Sequence, residues 1–396
     1  MSDGPRPLRV LSLATLYPNP LHPNFGVFVE RQMEAVVRTG EVDLTVINPV
    51  GLPPFPLSLH PRYRALARLD DEMRGGVRVL RPKFRLLPAI GGPLNAWAMG
   101  TAVLPLVRAL HAEAPFDVID AQFFYPDGPS AVRIARALGL PSSIKARGAD
   151  VHMWGRRWGT AGQVRRAARE ASGLLAVSEG LAEDLAALGA PRARIGIHRT
   201  GLDRTVFQPR DRARSRAALG LAEDVPVLAC VGALIPRKGQ ALAIAALAEL
   251  PADAVLLIAG IGPDEGSLRR QTADLGLTER VRFLGAVPNG DLPGVLSAAD
   301  VFVLPSASEG LANAWVEALA CGTPVVTTPL PGAREIIVAE AQGRLVEREP
   351  GAIAAAVRAI LADPPDRLEV TAGVADFSWE ANAAALVAHW RRLAER

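Results

Sequence analysis

The stretch ADVFVLPSASEGLANAWVEALACGTPVVTTP, residues 299–329, predicts a strand, a loop, a helix and a second strand. ADVFVLPS is a continuous apolar run that ends in a loop rich in Pro, Ser and Gly. LANAWVEALA then fits a helix from about Leu311 to Ala320, which Gly322 ends before PVVTTP begins. Continuous apolar strands that alternate with helices are typical of a parallel sheet covered by helices on both faces.

The same alternation runs through all 396 residues. About a dozen strands are too many for one open sheet, so we predict an α/β fold of two doubly wound, Rossmann-like domains facing each other across a cleft. The polar stretch 201–226 marks the boundary between an N-terminal domain, 1–205, and a C-terminal domain, 206–375. Residues 376–396 predict a helix that packs back on the N-terminal domain. The apolar runs that predict strands begin at Leu8, Val42, Val77, Phe116, Ser142, Gly173, Arg194, Pro226, Ala254, Val281, Ala299, Pro324 and Gly343.

Composition is that of a globular protein, with 49% hydrophobic and 21% charged residues and no apolar run long enough to span a bilayer. The first residues include Asp3 and lead directly into a strand, so we expect no signal peptide and a cytoplasmic location. Cys230 and Cys321 lie in apolar surroundings and suggest neither a disulfide framework nor a metal cluster.

Charge is distributed unevenly along the sequence. Residues 1–205 hold 26 Lys and Arg against 18 Asp and Glu, whereas residues 206–396 hold 18 against 23. The stretch MWGRRWGTAGQVRRAARE, residues 153–170, adds Trp154 and Trp158 to a cluster of arginines. This pattern suits an anionic membrane surface or a lipid pyrophosphate, but a solvated basic helix explains it equally well. No nucleic-acid-binding module is recognised. The arginines of the stretch 153–170 are Arg156, Arg157, Arg165, Arg166 and Arg169.

A diphosphate site is indicated where the strand VLACVG ends at Gly232 and leads into ALIPRKGQALAIAALAEL. Arg237 and Lys238 come just before a helix that begins near Gly239. The unpaired N–H groups and partial positive charge of a helix N-terminus attract phosphate, and a lysine beside them completes the site. A solvated loop is the alternative. The scarcity of lysine in this sequence favours a function for Lys238. For Arg237 the sequence gives no preference between phosphate binding and a solvated loop.

The next turn, AGIGPDEG at residues 259–266, matches a dinucleotide fingerprint only at Gly260 and Gly262. Glu265 occupies the third glycine position, and Asp264 and Glu265 would repel a pyrophosphate. We therefore expect a tight turn there, and no NAD or other cofactor.

Two glutamates flank the start of the predicted helix in the opening stretch. Glu309 directly precedes Gly310, Leu311 and Ala312, whose amides would face a phosphate, although an acidic residue there stabilises a helix by about 0.3–1 kcal/mol in any case. Eight helical residues rise about 12 Å, whereas the two catalytic carboxylates of a glycosidase lie about 5–9.5 Å apart. Glu309 and Glu317 therefore fit different ends of a long ligand better than they fit a glycosidase pair. An exposed helix residue is the alternative for Glu317.

The pattern Glu-x7-Glu in PSASEGLANAWVEALACGTPVV, with VGALIPRKG and LLIAGIGP before it and PLPGAREII after it, resembles the retaining family-four glycosyltransferases of the GT-B fold. The resemblance is specific over residues 225–340. It is looser in the first half, where YPNPLHPNFGVFVERQ is similar to the family's first glycine loop and KARGADVH to its His-Gly-x-Asp turn.

The resemblance implies catalytic roles for Lys238 and Arg237 at the donor diphosphate and for Glu309 beside the donor sugar. Glu317 would hold the nucleotide ribose, and Gly26 would let the N-terminal loop close on the diphosphate. Val287 and Pro288 would contact the nucleotide base. The other implied donor-binding residues are Arg147, Asp150, Gly232, Gly310, Leu311 and Ala312.

Two positions depart from the family pattern. Ala233 stands where many members have an arginine that contacts phosphate, and Arg147 stands where the turn usually has its histidine. His152 lies nearby as a weaker candidate, since an ordinary loop histidine is equally compatible with its position.

The resemblance implies a hexosyltransferase that moves a sugar, with retention, from a nucleoside-diphosphate sugar to a hydroxyl of a lipid-linked or saccharide acceptor. Polysaccharide or glycolipid assembly at the inner face of the cell membrane would be its setting. No Asp-x-Asp or acidic cluster is present, so we expect no metal and electrostatic stabilisation of the leaving diphosphate. The alternatives are a sugar-nucleotide epimerase and, because of Ala233 and Arg147, an inactive nucleotide-sugar-binding subunit.

Overall fold

The computed structural model describes residues 6–23, 25–86, 92–148 and 150–396, which form two compact units. Unit 1 combines Met1–Gly201 with Ser378–Arg396, and unit 2 is Leu202–Phe377. Residues 1–5, on which the expectation of no signal peptide partly rests, lie outside the described residues.

Unit 1 is an α/β unit built on a sheet with the strand order β10-β9-β8-β7-β1-β2-β5-β4. All neighbours pair in parallel except β4, which is antiparallel to β5. The described strands are β1 (Leu8–Leu13), β2 (Val42–Ile47), β3 (Val50–Leu52), β4 (Glu72–Arg74), β5 (Val77–Leu80), β6 (Lys83–Arg85), β7 (Val118–Ala121), β8 (Ser142–Ala146), β9 (Gly173–Ala176) and β10 (Ile195–Ile197). The described helices are α1 (Val27–Arg38), α2 (Pro61–Ala67), α3 (Gly92–Glu113), α4 (Asp127–Leu138), α5 (Ala161–Glu170) and α6 (Glu179–Ala187), with α15 (Trp379–Ala394) at the end of the sequence.

Unit 2 contains a parallel sheet with the order β13-β12-β11-β14-β15-β16. Its strands are β11 (Val227–Val231), β12 (Val255–Ala259), β13 (Val281–Gly285), β14 (Val301–Val303), β15 (Val325–Thr327) and β16 (Gly343–Leu345). Its helices are α7 (Arg212–Ala218), α8 (Gln240–Leu247), α9 (Glu265–Asp274), α10 (Leu292–Ala298), α11 (Asn313–Ala320), α12 (Pro331–Arg334), α13 (Pro350–Ala362) and α14 (Arg367–Ala372).

The hydrophobic pattern explains these sheets. Every residue of β12, VLLIA, is buried, because helices cover a parallel sheet on both faces and leave no place for a polar side chain. Cys230 and Cys321 are free and buried, and burial raises the pKa of each thiol to about 12. The predicted α/β class with two doubly wound units is confirmed.

The last helix, α15, belongs to the core of unit 1. Trp379, Leu386, Val387 and Trp390 are all buried among residues of β1, β2 and α1. Its start is capped by Ser378, whose hydroxyl accepts a hydrogen bond from the backbone N of Ala381 at 3.0 Å.

Candidate functional site

In unit 2 the strand order reverses between β11 and β14, which are neighbours in the sheet. Ligands of doubly wound sheets bind beyond the carboxyl ends of the strands at such a reversal. The loop after β11 carries Gly232, Arg237 and Lys238, and the loop after β14 carries Glu309 and Gly310. The fold therefore brings the two motifs to one edge of the sheet.

The centre of this edge is a charge cluster. Nζ of Lys238 lies 2.6 Å from Oε1 of Glu309, and Nη1 of Arg237 lies 2.8 Å from the same oxygen. The Glu309 and Lys238 side chains are only 10% and 14% exposed, so their attraction is screened by water less than that of a surface pair. Two cations face one carboxylate, which leaves one positive charge in excess for an anionic ligand.

Close backbone contacts hold the two loops together. Gly239 caps α8 with φ +81°, and a Cβ there would lie 2.4 Å from the backbone O of Pro305. The backbone N of Ala307 also donates to the O of Arg237 at 2.7 Å. On the far side, a Cβ on Gly332 would lie 1.9 Å from the O of Gly310. Only glycine fits at either contact, so both glycines position Arg237, Lys238 and Glu309.

Helix α11 begins at Asn313, two residues later than predicted. Gly310, Leu311 and Ala312 form a buried loop instead, and Ala312 has extended backbone, with φ −76° and ψ 121°. The contact between Gly310 and Gly332 holds the loop in this conformation and keeps the first helical turn from starting earlier. Glu317 is half-buried on α11, close enough to Cys321 for its charge to help raise the pKa of that thiol, after the larger effect of burial.

Close backbone contacts explain why residues 260 and 262 are glycines, as expected for a tight turn. A Cβ on Gly260 would lie 1.9 Å from the O of Gly232, and one on Gly262 would lie 2.3 Å from the O of Leu234. The two glycines thus allow the loop after β12 to lie directly against the loop after β11.

Val287 and Pro288 follow β13 at the same end of the sheet. Val287 is half-buried and lines a groove beside α7 and α10, whereas Pro288 is exposed. Ala233 is exposed and presents no side-chain donor, and its O accepts from Nε2 of Gln240 at 2.9 Å.

In unit 1 the strand order reverses between β1 and β7. Gly26 follows β1 and caps α1 with φ +79°; a Cβ there would lie 2.5 Å from the carbonyl carbon of Leu16. This position requires glycine, because both the backbone conformation and the space exclude a larger residue.

Arg147 follows β8 and points at the end of β7. Its Nε donates to the backbone O of Gln122 at 2.7 Å, its Nη2 donates to Oε1 of the same glutamine at 2.5 Å, and its guanidinium lies 4.9 Å from the ring centre of Phe28. Burial lowers the pKa of Arg147 to about 10, so the group stays charged at neutral pH.

Asp150 is fully buried, and backbone groups of the turn surround its carboxylate. The amides of Phe124, Arg147 and Gly148 donate to it at 2.7 to 3.1 Å. Burial raises the pKa of Asp150, and these hydrogen bonds oppose the rise. Asp150 thus holds the turn that presents Arg147, and its carboxylate is not exposed to a ligand. His152 pairs with Asp184, with 2.8 Å between Nε2 and Oδ2.

The basic stretch is a surface of unit 1. Helix α5 buries Val164, Ala167 and Ala168 and exposes its arginines. Trp158, just before the helix, is 90% exposed, which is unusual for so large an apolar residue. We call this surface the basic patch; its residues are Arg156, Arg157, Trp158, Arg165, Arg166 and Arg169.

Neither a membrane span nor a metal cluster is found among the described residues. No described helix is long and apolar enough to cross a membrane. Within the same residues, no three His, Cys, Asp or Glu residues meet as a metal site would require.

Sequence reasoning missed a polar cluster beneath Arg147. Gln32, Gln122 and Lys145 are buried side by side between α1 and the sheet. Their positions in the sequence are far apart, and only a lysine inside the apolar strand SSIKA signals anything unusual.

Two family models together match most of the protein. The model described as Glycosyl transferases group 1 matches residues 211–373, and the model described as Glycosyl transferase 4-like domain matches residues 25–201.

Named relatives agree with these matches. The protein is 31% identical over 337 residues to TuaC of Bacillus subtilis, a glycosyltransferase assigned to teichuronic acid biosynthesis, and the match covers 82% of each protein. It is 38% identical over 217 residues to D-inositol 3-phosphate glycosyltransferase of Mycobacterium tuberculosis, a match that covers 52% of this protein and 45% of that one.

Solved structures share the fold along nearly the whole length. Sucrose-phosphate synthase from Thermosynechococcus elongatus superposes with a TM-score of 0.80 at 22% identity, covering 98% of this protein and 99% of that one. HepE of Anabaena, solved with UDP-glucose, superposes with a TM-score of 0.69 at 22% identity, covering 98% of both proteins.

Proposed function

The protein belongs to the group 1 glycosyltransferases, and we propose that it transfers a hexose, with retention of configuration, from a nucleoside-diphosphate sugar to an acceptor hydroxyl. The observation that carries this proposal is the cluster at the β11–β14 reversal, where Lys238 and Arg237 converge on one oxygen of Glu309. A nucleoside diphosphate is the leaving group whose charge this cluster suits best.

In this reaction the bond from the anomeric carbon to the diphosphate breaks, and its electron pair leaves with the diphosphate. The acceptor oxygen bonds to the same face of that carbon and gives its proton to the departing phosphate oxygen. Lys238, Arg237 and the N-termini of α8 and α11 stabilise the developing negative charge, which is why we propose that no metal is needed. Glu309, held by both cations, lies beside the sugar.

The remaining donor contacts are proposed residue by residue. Glu317 holds the ribose and Val287 and Pro288 flank the base, while Gly310, Leu311 and Ala312 offer amides to sugar and phosphate. Arg147, Gly26 and Gly232 also contact the donor, and Asp150 acts by holding the turn of Arg147.

We propose polysaccharide or glycolipid assembly as the setting, with a lipid-linked or saccharide acceptor. The relative TuaC is assigned to assembly of teichuronic acid, and the basic patch suits an anionic lipid surface. The protein would then act at the cytoplasmic face of the cell membrane.

Nucleotide binding tests the donor site directly. We expect one of UDP, GDP, ADP and dTDP to raise the thermal midpoint, because a ligand that binds the native state stabilises it. Lys238→Ala should weaken that nucleotide's binding about 10- to 100-fold, since a charge-assisted hydrogen bond contributes roughly 1.5–3 kcal/mol. Arg269→Ala, at an exposed ion pair on α9, is the control and should bind like the wild type.

Turnover separates the proposed reaction from its alternatives. With the matching donor and an acceptor extract, we expect release of the nucleoside diphosphate together with a glycosylated product that keeps the donor's anomeric configuration. Glu309→Ala should lower this rate at least ~100-fold. An unchanged rate would show that Glu309 is wrongly assigned. Altered sugar configuration without diphosphate release would show an epimerase, and an inverted product would exclude retention.

A further inference from the structure

Lys145 is a buried lysine with no part in the proposed chemistry. It lies on β8 and is fully buried, and its Nζ lies 2.9 Å from Oε1 of Gln32 and 2.7 Å from Nδ1 of His198. A buried amine is unfavourable unless its hydrogen bonds are satisfied, and burial lowers the pKa of Lys145 well below its ordinary value, so its retention in the core needs an explanation.

The hydrogen bonds around Lys145 have a fixed direction. Nζ of Lys145 donates to Oε1 of Gln32, which therefore turns its NH2 to Oε1 of Gln122, 3.0 Å away. Gln122 in turn donates from Nε2 to Oδ2 of Asp120 at 2.6 Å, and that carboxylate accepts. A donor at one end and an acceptor at the other therefore set both glutamine amides in one orientation.

This orientation leaves two carbonyl oxygens for Arg147. Its Nη2 lies 2.5 Å from Oε1 of Gln122 and 3.3 Å from Oε1 of Gln32. If the Gln32 amide were reversed, its NH2 would face the guanidinium of Arg147, which offers only donors. The position of the guanidinium thus depends on Lys145 through Gln32 and Gln122.

Both ends of this hydrogen-bond network reach helix α15. Nε2 of His198 donates to the backbone O of Asn382 at 2.8 Å, which leaves Nδ1 to accept from Lys145. At the other end, Nε1 of Trp390 donates to Oδ1 of Asp120 at 3.1 Å. The last helix therefore closes the network beneath Arg147.

We propose that Lys145 is a positioning residue which, with α15, holds Arg147 in the orientation that binds the donor diphosphate. The proposal rests on the role of Arg147 in the proposed function. The buried lysine and the packing of α15 on unit 1 would both serve to position Arg147.

Steady-state kinetics of the full-length protein test this proposal. Lys145→Met removes the donors while keeping a residue of similar length, and we expect the KM for the nucleotide sugar to rise about tenfold, with little change in kcat or in the acceptor KM. Trp390→Phe keeps most of the ring but loses one hydrogen bond and should raise the donor KM about threefold. Leu386→Ala, a buried apolar change on α15, should lower stability but leave the donor KM unchanged.

A double-mutant cycle gives the decisive readout. Because Lys145 acts through Arg147, adding Lys145→Met to Arg147→Ala should raise the donor KM no further. Additive effects, or a normal donor KM in Lys145→Met, would overturn the proposal. If Lys145→Met does not fold, Gln32→Leu takes its place with the same expectations. If Arg147→Ala itself leaves the donor KM unchanged, the proposed role of Arg147 fails, and Lys145 loses its function with it.

Discussion

Asp127 is a carboxyl group with an unusually high proton affinity. It begins α4, the helix that follows β7, and is fully buried, and the backbone N of Thr15 donates to its Oδ2 at 3.0 Å. Burial raises the pKa of Asp127 to about 7 from an ordinary value of 3.8. The folded state therefore holds the proton more tightly than the unfolded state does.

The sign of the pH effect follows from that difference. Between about pH 4 and pH 7 the folded state binds more protons than the unfolded state at this residue, so its contribution to stability falls as pH rises. Asp127→Asn mimics the protonated group and should raise the thermal midpoint at pH 8, by about 5 °C, with no gain at pH 4. Ser130→Ala, a buried and uncharged change one turn along α4, should shift the midpoint equally at both pH values; a pH-independent effect of Asp127→Asn would contradict the prediction.

At the residue scale, the sequence predicts which loops meet but not which atoms pair. Lys238 and Glu309 each follow an apolar strand, so their shared edge of the sheet is predictable. The contact of Glu309 with both Lys238 and Arg237 depends on the path of two irregular loops. Lys145 and Gln32 are 113 residues apart, and no local pattern relates residues at that separation.

The sequence predicts the buried strands well, but it does not predict the partly exposed ones. Each predicted apolar run contains a strand in the structure. The unpredicted strands β3, β4 and β6 lie at the edge of the first sheet or in a separate two-stranded sheet. Most of their residues are not buried, so they lack the apolar run that marks a central parallel strand. The later start of α11 depends on the contact of Gly310 with Gly332, which local propensity does not contain.

The glycine that caps α8 allows a test at the scale of an element. Gly239→Ala places a Cβ against Pro305 and also strains a positive φ, so we expect it to displace the loops and weaken nucleotide binding at least ~10-fold. Gly276→Ala is the matched control for Gly239→Ala, because φ there is also positive, at +69°, but nothing lies within 4 Å of the added Cβ. It should cost about 1 kcal/mol in stability and leave nucleotide affinity intact. Equal loss of affinity in both variants would show that the contact with Pro305 is unimportant.

At the scale of the whole molecule, the basic patch predicts selective attachment to anionic lipid. Vesicles containing phosphatidylglycerol should bind the protein in a sedimentation assay, and vesicles of phosphatidylcholine should not. Each arginine near an anionic surface contributes about 1 kcal/mol, so removing Arg156 and Arg157 together should weaken binding roughly 30-fold.

The control for lipid binding removes the same charge elsewhere. Arg269 and Arg270 are neighbouring exposed arginines on α9 of unit 2, and replacing both with alanine should leave vesicle binding unchanged. Equal weakening in the two double variants would mean that net charge, rather than the basic patch, attracts the protein. No binding to anionic vesicles at all would favour a solvated basic helix.

The return of α15 to unit 1 has a consequence for biosynthesis. Unit 2 is continuous in sequence, whereas unit 1 needs Ser378–Arg396 to cover its core. During translation the ribosome releases all of unit 2 before it supplies α15, so unit 1 cannot complete its core when its own first 201 residues have emerged. We therefore expect unit 2 to fold before unit 1, the reverse of the usual order in which the N-terminal domain folds first. The incomplete unit 1 exposes apolar surface for as long as unit 2 takes to be synthesised, and it is the part of the nascent protein that most needs a chaperone.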